Sequence, residues 1–532
     1  MDPLTQTTLP APGPPRLARA IRLPHATALV VGTIIGASIF VQPSEVTGRV
    51  PSPEGAFLVW AVAGLLTLLG CLVTAELSAR YPESGGVYVF LREAYSPLLG
   101  FLWGWAMFWT MHSGIIAAIA VVFGRYLAYF APIGDAGIRT VGVLAILMLS
   151  AVNYVGVRQG SRLQSAFTLL KVAAILLVTA VGLLLGPRIT AGAGNPGDGS
   201  GDGSGAAAGL QGLPGGTLSG PLGGATPAEF LVAVVAGLFA FGGWHMVTYS
   251  AEETVRPERT IPRSLLLGTG IVTACYLALN AVYFHVLPVE TVISSQRVAA
   301  DAADAVLGRG GGATLSLLVV LSTFGALAGI VLAGPRVYYA MARDGLLPRP
   351  IGTVHPRRRT PHRAILLQAG WASVLVWTGT YRQLFTRVIY TEWIFFGLMA
   401  IGLLLLRRRA AEHPRSERRA AEPESPDRRE ARAPPRDRGK GELRSRPWPP
   451  LMGRAYPWVP LVFALSAFGI VGNQILADPR ESAVGLGFVL LGIPVYFLLR
   501  GRSGVPGRGR PPARRRRGPP APPRGRPPAR DE

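Results

Sequence analysis

Cysteine is almost missing from this chain: there are two in 532 residues, Cys71 and Cys275, each inside an apolar run. A disulfide framework is thereby excluded, and both are expected as small core residues. No GxxxxGK[ST] loop is present to cradle a phosphate, so work driven by ATP hydrolysis is excluded. HExxH zinc sites, GxSxG elbows and cysteine-histidine clusters are absent as well, which argues against an enzyme, a bound metal or a cofactor. Asp198 and Asp202 begin like a calcium loop, but the bidentate glutamate such a loop needs does not follow. Before the first long apolar run there is no short apolar core with a cleavage site, so no signal peptide is expected. Lysine is nearly absent too: of 53 basic residues only Lys171 and Lys440 are lysines.

What is abundant is uncharged hydrophobic sequence. Hydrophobic residues make up 49% of the chain, and the mean hydropathy is +0.34. A membrane span needs about 20 mainly apolar residues. Twelve candidate stretches satisfy this, near residues 26–47, 57–79, 98–123, 138–155, 165–186, 228–249, 265–287, 314–341, 363–379, 388–406, 457–476 and 483–500. The fourth and ninth carry the weakest signal. This pattern predicts an all-α integral membrane protein embedded in a lipid bilayer.

The net charge of +23 suggests nucleic acid only until the arginines are located. They cluster in alternate loops: Arg16, Arg19 and Arg22; Arg80 and Arg92; Arg158 and Arg162; Arg256, Arg259 and Arg263; Arg343 to Arg359; then the runs 407–454 and 500–530. That is the positive-inside distribution, and it predicts both termini in the cytoplasm of a multi-pass cell-membrane protein with no nucleic-acid partner. The expected organisation follows: a disordered lead (1–23), a first group of five spans (24–186), a Gly-rich extracellular loop (187–226), a second group of five (227–406), a basic linker that cannot form a core (407–454), two last spans (455–500) and a basic tail (501–532). Pro257 and Pro262 are expected to fix turns in the connection after the sixth span. Trp103, Trp105 and Trp109 are expected as an aromatic belt, and the segment with Tyr88, Phe90, Leu91 and Tyr95 as a short amphipathic helix at the cytoplasmic interface.

The chain is organised around Gly32 to Pro43, GTIIGASIFVQP. Gly32, Gly36 and Ser38, with Thr33, Ile34 and Ile35 between them, make poor helix at mid-depth. Two readings are open: a Gly-rich face that lets a neighbouring helix approach, or a helix that breaks and offers its freed N–H and C=O groups as ligands. The sixth span, FLVAVVAGLFAFGGWHMVTYS, is interrupted in the same way by Gly237, Gly242 and Gly243, flanked by Phe239, Phe241 and Trp244. Corresponding interruptions in two halves point to inverted repeats with a site between them and favour the broken-helix reading. Lys171, in QSAFTLLKVAAILLV, sits about 9 Å into the fifth span at 1.5 Å per residue. A charge at membrane depth in a chain that otherwise writes arginine is a functional candidate, because lysine can release a proton when desolvated and arginine cannot. His112 and His245 read as structural histidines. Acidic residues are scarce in the spans; Glu76, Glu252, Glu253 and Glu392 all read as lying near helix ends.

The motifs GTIIGASIF, AELSARYPESGGVY, the Lys171 segment, FAFGGW with AEETVRPERTIPR, ARDGLLP, EWIFFGLMAIGLLLLRRR and GIPVYFLLR together resemble the amino acid/polyamine/organocation transporters. Within them the likeness is to the branch of L-type amino acid transporters and their bacterial relatives. The resemblance implies a leucine-transporter-type fold of five plus five inverted helices with two more appended. It implies that backbone N–H groups around Gly36, Ala37 and Ser38 bind a substrate carboxylate. The ammonium would go to the carbonyls of Ile34, Phe239 and Gly242, with Phe239 as a gate and Phe241 and Trp244 nearby. Lys171 would stand where sodium sits in sodium-driven relatives. The family usually has Gly in the place of Ser38, and a Cβ there narrows the space beside the substrate's α-carbon.

The sequence thus leads to a secondary transporter of amino acids, exchanging them or coupling their movement to protons. The same fold carrying a polyamine or other organic cation is the alternative, though such a cargo needs acidic residues facing the cavity. A membrane sensor that binds an amino acid without moving it is the alternative from another class.

Overall fold

The computed structural model describes residues 17–36, 38–40, 42–185, 222–295, 297–307, 310–379, 381–412, 451–477 and 479–503. Among them every regular element is helical; extended backbone pairs only at one isolated parallel bridge, Ile21 with Thr254. The helices are α1 (Leu23–Ile34), α2 (Gln42–Arg49), α3 (Pro53–Arg80), α4 (Val87–Ala94) and α5 (Pro97–Ala106). A π-helical turn, Met107–Met111, carries α5 into α6 (His112–Leu127). Next come α7 (Gly134–Val155), α8 (Val157–Leu185) and α9 (Pro227–Ala240). After a 3-10 stretch, Trp244–Glu253, follow α10 (Pro257–Val286), α11 (Val289–Ser294), α12 (Val298–Leu307), α13 (Gly311–Ala333) and α14 (Pro335–Arg343). The chain ends with α15 (His362–Thr378), α16 (Tyr381–Glu412), α17 (Trp458–Ala477), α18 (Pro479–Leu490) and α19 (Gly492–Ser503).

Several starts are written in the sequence as Ser/Thr followed by Pro. Ser52 accepts the Gly55 amide at 3.1 Å ahead of Pro53. Thr226 and Glu229 form a reciprocal capping box ahead of Pro227. Proline costs nothing at the first helical position, where its missing N–H would be an orphan, and the side-chain oxygen satisfies a neighbouring one.

Nine stretches among the described residues are long and apolar enough to cross a membrane. They are α3, α5 to α6, α7, α8, α9 with the following 3-10 stretch, α10, α13 to α14, α17, and α18 to α19. The other three expected spans are placed differently. The first is broken, with α1 only 12 residues long; the ninth is the 17-residue α15; the tenth, 388–406, lies inside the longer α16.

At the centre, α1 packs against α8, α10, α13 and the 3-10 stretch. In lipid there is no hydrophobic drive between helices, so close packing must supply the adhesion, and small residues permit it. Gly268 of α10 faces Val30, where a Cβ would come within 2.5 Å of Val30 Cγ1.

Some expectations need correcting. Trp103 is fully buried, edge-on to Phe395 and His245, and so is no belt residue; aromatic rings also pack well away from the interface. The apolar face of α4 is covered by protein rather than by a membrane surface, and its Arg92 pairs with Glu83, Glu93 and Asp344. Pro262 fixes no turn: it lies inside α10, in its second turn, where it forgoes one amide hydrogen bond. Glu392 sits 11 residues into α16, far from its ends, because that helix starts at Tyr381. The basic run from Arg407 is helical as far as Glu412, and residues 17–22 are tied to the body through the Ala20 and Ile21 amides on Glu253 O. The expected Gly-rich loop as far as 221, the rest of the basic linker to 450 with Lys440, and the tail from 504 lie outside the described residues.

Candidate functional site

Two interrupted helices meet at mid-molecule. The first, α1, stops at Ile34; Ile35 is extended (φ −71°, ψ 95°), and its amide closes the last turn on Val31 O at 2.9 Å. Three β-branched residues in a row followed by glycine give helix propagation little to offset the loss of the next turn. The chain resumes in a 3-10 turn, Ser38–Phe40, and then α2. The second helix, α9, stops at Ala240. Phe241 and Gly242 donate their amides to Leu238 O and Phe239 O, each at 3.1 Å, and Gly243 takes φ +96°, a region that glycine occupies at no steric cost.

The two breaks touch. The Thr33 hydroxyl lies 3.2 Å from Gly243 O, and also near Leu29 O (2.7 Å) and Val30 O (3.0 Å). A Cβ on Gly243 would stand 2.9 Å from Thr33 O. Gly243→Ala is therefore expected to destabilise the protein by about 1–3 kcal/mol through backbone strain alone, plus the clash. Gly36→Ala, whose Cβ would meet nothing nearer than 3.9 Å, leaves stability unchanged. Thermal melts of the two variants in detergent check this; equal midpoints would remove the close approach at Gly243.

The carbonyls released at the end of α1 are collected by side chains from three other helices. Lys171 of α8 is fully buried, and its ammonium donates to Gly32 O (3.2 Å), Ile35 O (2.7 Å) and Ser322 O of α13 (2.9 Å). All three ammonium protons are thus used. No carboxylate is paired with it among the described residues. The positive charge stands at the negative end of a half-helix, where the orphan carbonyls of the last turn carry partial charge. The Ser322 hydroxyl reaches Gly36 O at 3.3 Å. Tyr276 of α10 bridges the breaks, its hydroxyl 3.2 Å from Ile34 O and 2.9 Å from Ala240 O. Thr168, one turn before Lys171, holds Ala28 O at 3.0 Å.

Of the residues expected at a site, Ile34, Gly36 and Lys171 are gathered at this junction. Lys171 lies 14 residues into α8, about 21 Å from its start, and so at mid-helix rather than near an end. Ser38 is half-buried at the start of its 3-10 turn, and Ala37 lies outside the described residues. Phe239 is half-buried with its carbonyl accepting the Gly242 amide, while Gly242 is exposed. Phe241 is packed against Tyr276 (5.0 Å between centroids) and Trp60 (6.5 Å), and Trp244 against Phe396 (5.2 Å) and Phe463 (6.4 Å). Tyr276 and Ser322 look like ordinary span residues in the sequence, and Thr33 stands out there only as a β-branched residue at the break. The buried pair Glu253–Arg336 also went unremarked there, although an arginine inside the eighth apolar stretch, 314–341, was a usable signal. Among the described residues no group of three or more His, Cys, Asp or Glu is placed to hold a metal.

The family model described as amino acid permease matches residues 21–496. The serine/threonine exchanger SteT of Bacillus subtilis (strain 168) is 28% identical over 490 residues, covering 92% of this chain and 98% of that protein. The human b(0,+)-type amino acid transporter 1 is 30% identical over 404 residues, 75% of this chain and 78% of that one. The human cystine/glutamate transporter is 27% identical over 487 residues, 91% and 85% of the two chains.

Proposed function

The chain belongs to the amino acid permease family, and from that premise we propose that it is a secondary transporter moving amino acids across the cell membrane by alternating access. The observation that carries the reading is the contact of two helices broken at mid-span, the Thr33 hydroxyl reaching Gly243 O and the Tyr276 hydroxyl bridging Ile34 O and Ala240 O. A zwitterion suits such a junction. The amides that begin the chain after a break favour a carboxylate, and the terminal carbonyls of a half-helix favour an ammonium. The carboxylate goes to the backbone at Gly36, Ala37 and Ser38, and the ammonium to the carbonyls of Ile34, Phe239 and Gly242, with Phe239 closing over it.

In this reading twelve spans form two inverted groups of five with two appended, and both termini face the cytoplasm. One relative is a serine/threonine exchanger, which supports a second amino acid as the counter-transported solute; a co-transported proton is the other coupling. Purified protein reconstituted into vesicles, with a panel of the standard amino acids and several polyamines competing for uptake, tests the proposal. Saturable flux of one group of amino acids is expected. Specific binding with no flux would make the protein a sensor, and flux of polyamines alone would change the cargo.

A further inference from the structure

A second buried ionisable cluster lies beside the resumed half of the sixth span, apart from Lys171. Glu392, near the middle of α16, places its carboxylate oxygen 3.5 Å from His245 Nε2. The two side chains are 13% and 2% exposed. His245 is the second residue after the left-handed turn at Gly243, so it is mounted on the segment whose attachment to α1 is the Thr33 contact. Its other ring nitrogen, Nδ1, is buried without a hydrogen-bond partner. Aromatic rings close the surroundings: Trp103 at 5.9 Å, Tyr249 at 5.5 Å and Phe396 at 4.9 Å.

The groups facing this pair from the packed elements are His112 of α6, whose Nε2 is held on Ile330 O at 2.9 Å, Tyr249 of the same 3-10 stretch, and Tyr338 of α14. Of the charges on the other helices against α16, Glu76 of α3 is paired with Arg407, and Arg92 of α4 with Glu83, Glu93 and Asp344. Among the described residues no arginine or lysine is paired with Glu392.

A carboxylate at membrane depth is tolerated only when neutral or matched. One proton shared by Glu392 and His245 meets that condition in either arrangement, as a carboxylic acid beside neutral imidazole or as a carboxylate beside imidazolium. Losing it would leave an unmatched buried anion, so release requires the pair to separate or water to enter. Both follow if the half-helix carrying His245 swings away from α16.

We propose that the His245–Glu392 pair is a proton-binding site, loaded in one state of the transporter and emptied in the other, which couples amino acid movement to a proton gradient. This rests on the transport reading above.

The test measures protons and amino acid together, in vesicles containing the full chain and a trapped pH dye, with acid outside. For the unaltered protein, uptake of a transported amino acid should acidify the lumen at a fixed ratio of protons to amino acid. That ratio is independent of how much protein is folded. In Glu392→Gln it should fall to background, and in His245→Asn it should fall as well. Amino acid uptake with no lumen acidification would overturn the proton site while leaving transport intact. A Glu392→Gln ratio equal to that of the unaltered protein would also overturn it. No uptake of any amino acid would instead remove the transport reading.

Discussion

Replacing Lys171 with alanine is expected to reduce amino acid uptake in reconstituted vesicles to background while the protein still elutes as a folded particle. The ammonium ties three separate pieces of chain together: the last turn of α1 through Gly32 O, the extended residue beyond it through Ile35 O, and α13 through Ser322 O. Each hydrogen bond from a charged donor contributes about 1.5–3 kcal/mol, and a buried carbonyl left alone costs about 1–3. Alanine supplies neither donor nor charge, so the break in α1 loses the group that fixes its shape at the point proposed to hold substrate. The remaining contacts of α1 with α8 and α10 include Thr168 on Ala28 O and Tyr276 on Ile34 O, which keep the helix seated. Loss of function without loss of fold is the consequence. Lys171→Met separates charge from bulk: it fills the same volume, and the same loss of uptake is expected. Uptake by either variant within about twofold of the unaltered protein, a difference of roughly 0.4 kcal/mol, would remove Lys171 from the transport machinery.

How far the site could be read in advance depends on whether the physics is local. The bilayer imposes a run length, so most spans stand out from hydropathy alone. Gly32 to Gly36 and Gly242 to Gly243 stand out because glycine in the interior of an apolar helix needs a reason. Lys171 stood out because the chain spells nearly every other cation as arginine. Its place at mid-helix did not, since α8 extends back to Val157 through Arg158, Gln159 and Arg162, polar residues that form helix outside lipid at no cost. The same error of boundary hid Glu392: hydropathy begins the span at 388, but the helix begins at Tyr381.

What covers an apolar face is not local at all. Periodicity gives α4 one greasy side, yet it does not say whether membrane or protein takes it; here protein does. Trp103 failed for the same reason, as three tryptophans close together in one span look alike until the neighbours Phe395 and His245 are in place. Tyr276 is the instructive omission. A tyrosine in an apolar helix reads as core, and only the folded chain brings its hydroxyl between Ile34 O and Ala240 O.

Arg336→Met should lower stability by about 3–5 kcal/mol, the usual cost of leaving one partner of a buried ion pair alone. Arg336 and Glu253 are both fully buried, and the guanidinium meets the carboxylate through two bonds, Nε to Oε2 at 2.8 Å and Nη2 to Oε1 at 2.9 Å. Its Nη1 donates to Leu332 O, which fixes the start of α14. Glu253 closes the 3-10 stretch after the second break, and its own carbonyl accepts the Ala20 and Ile21 amides. One pair thus joins the N-terminal segment, the resumed half-helix and α14. Removing the arginine leaves an anion with no water and no partner, whereas removing both charges leaves only a volume to refill. Buried pairs exchanged whole for apolar residues are often neutral or stabilising, so Glu253→Leu combined with Arg336→Met should recover most of the melting midpoint that Arg336→Met loses. Uptake separates structure from mechanism. If the pair must open in each cycle to let the N-terminal segment part from α14, the double variant melts like the unaltered protein but transports differently. A single variant with an unshifted midpoint would mean the carboxylate is hydrated in the membrane-embedded protein, and the latch would carry no weight.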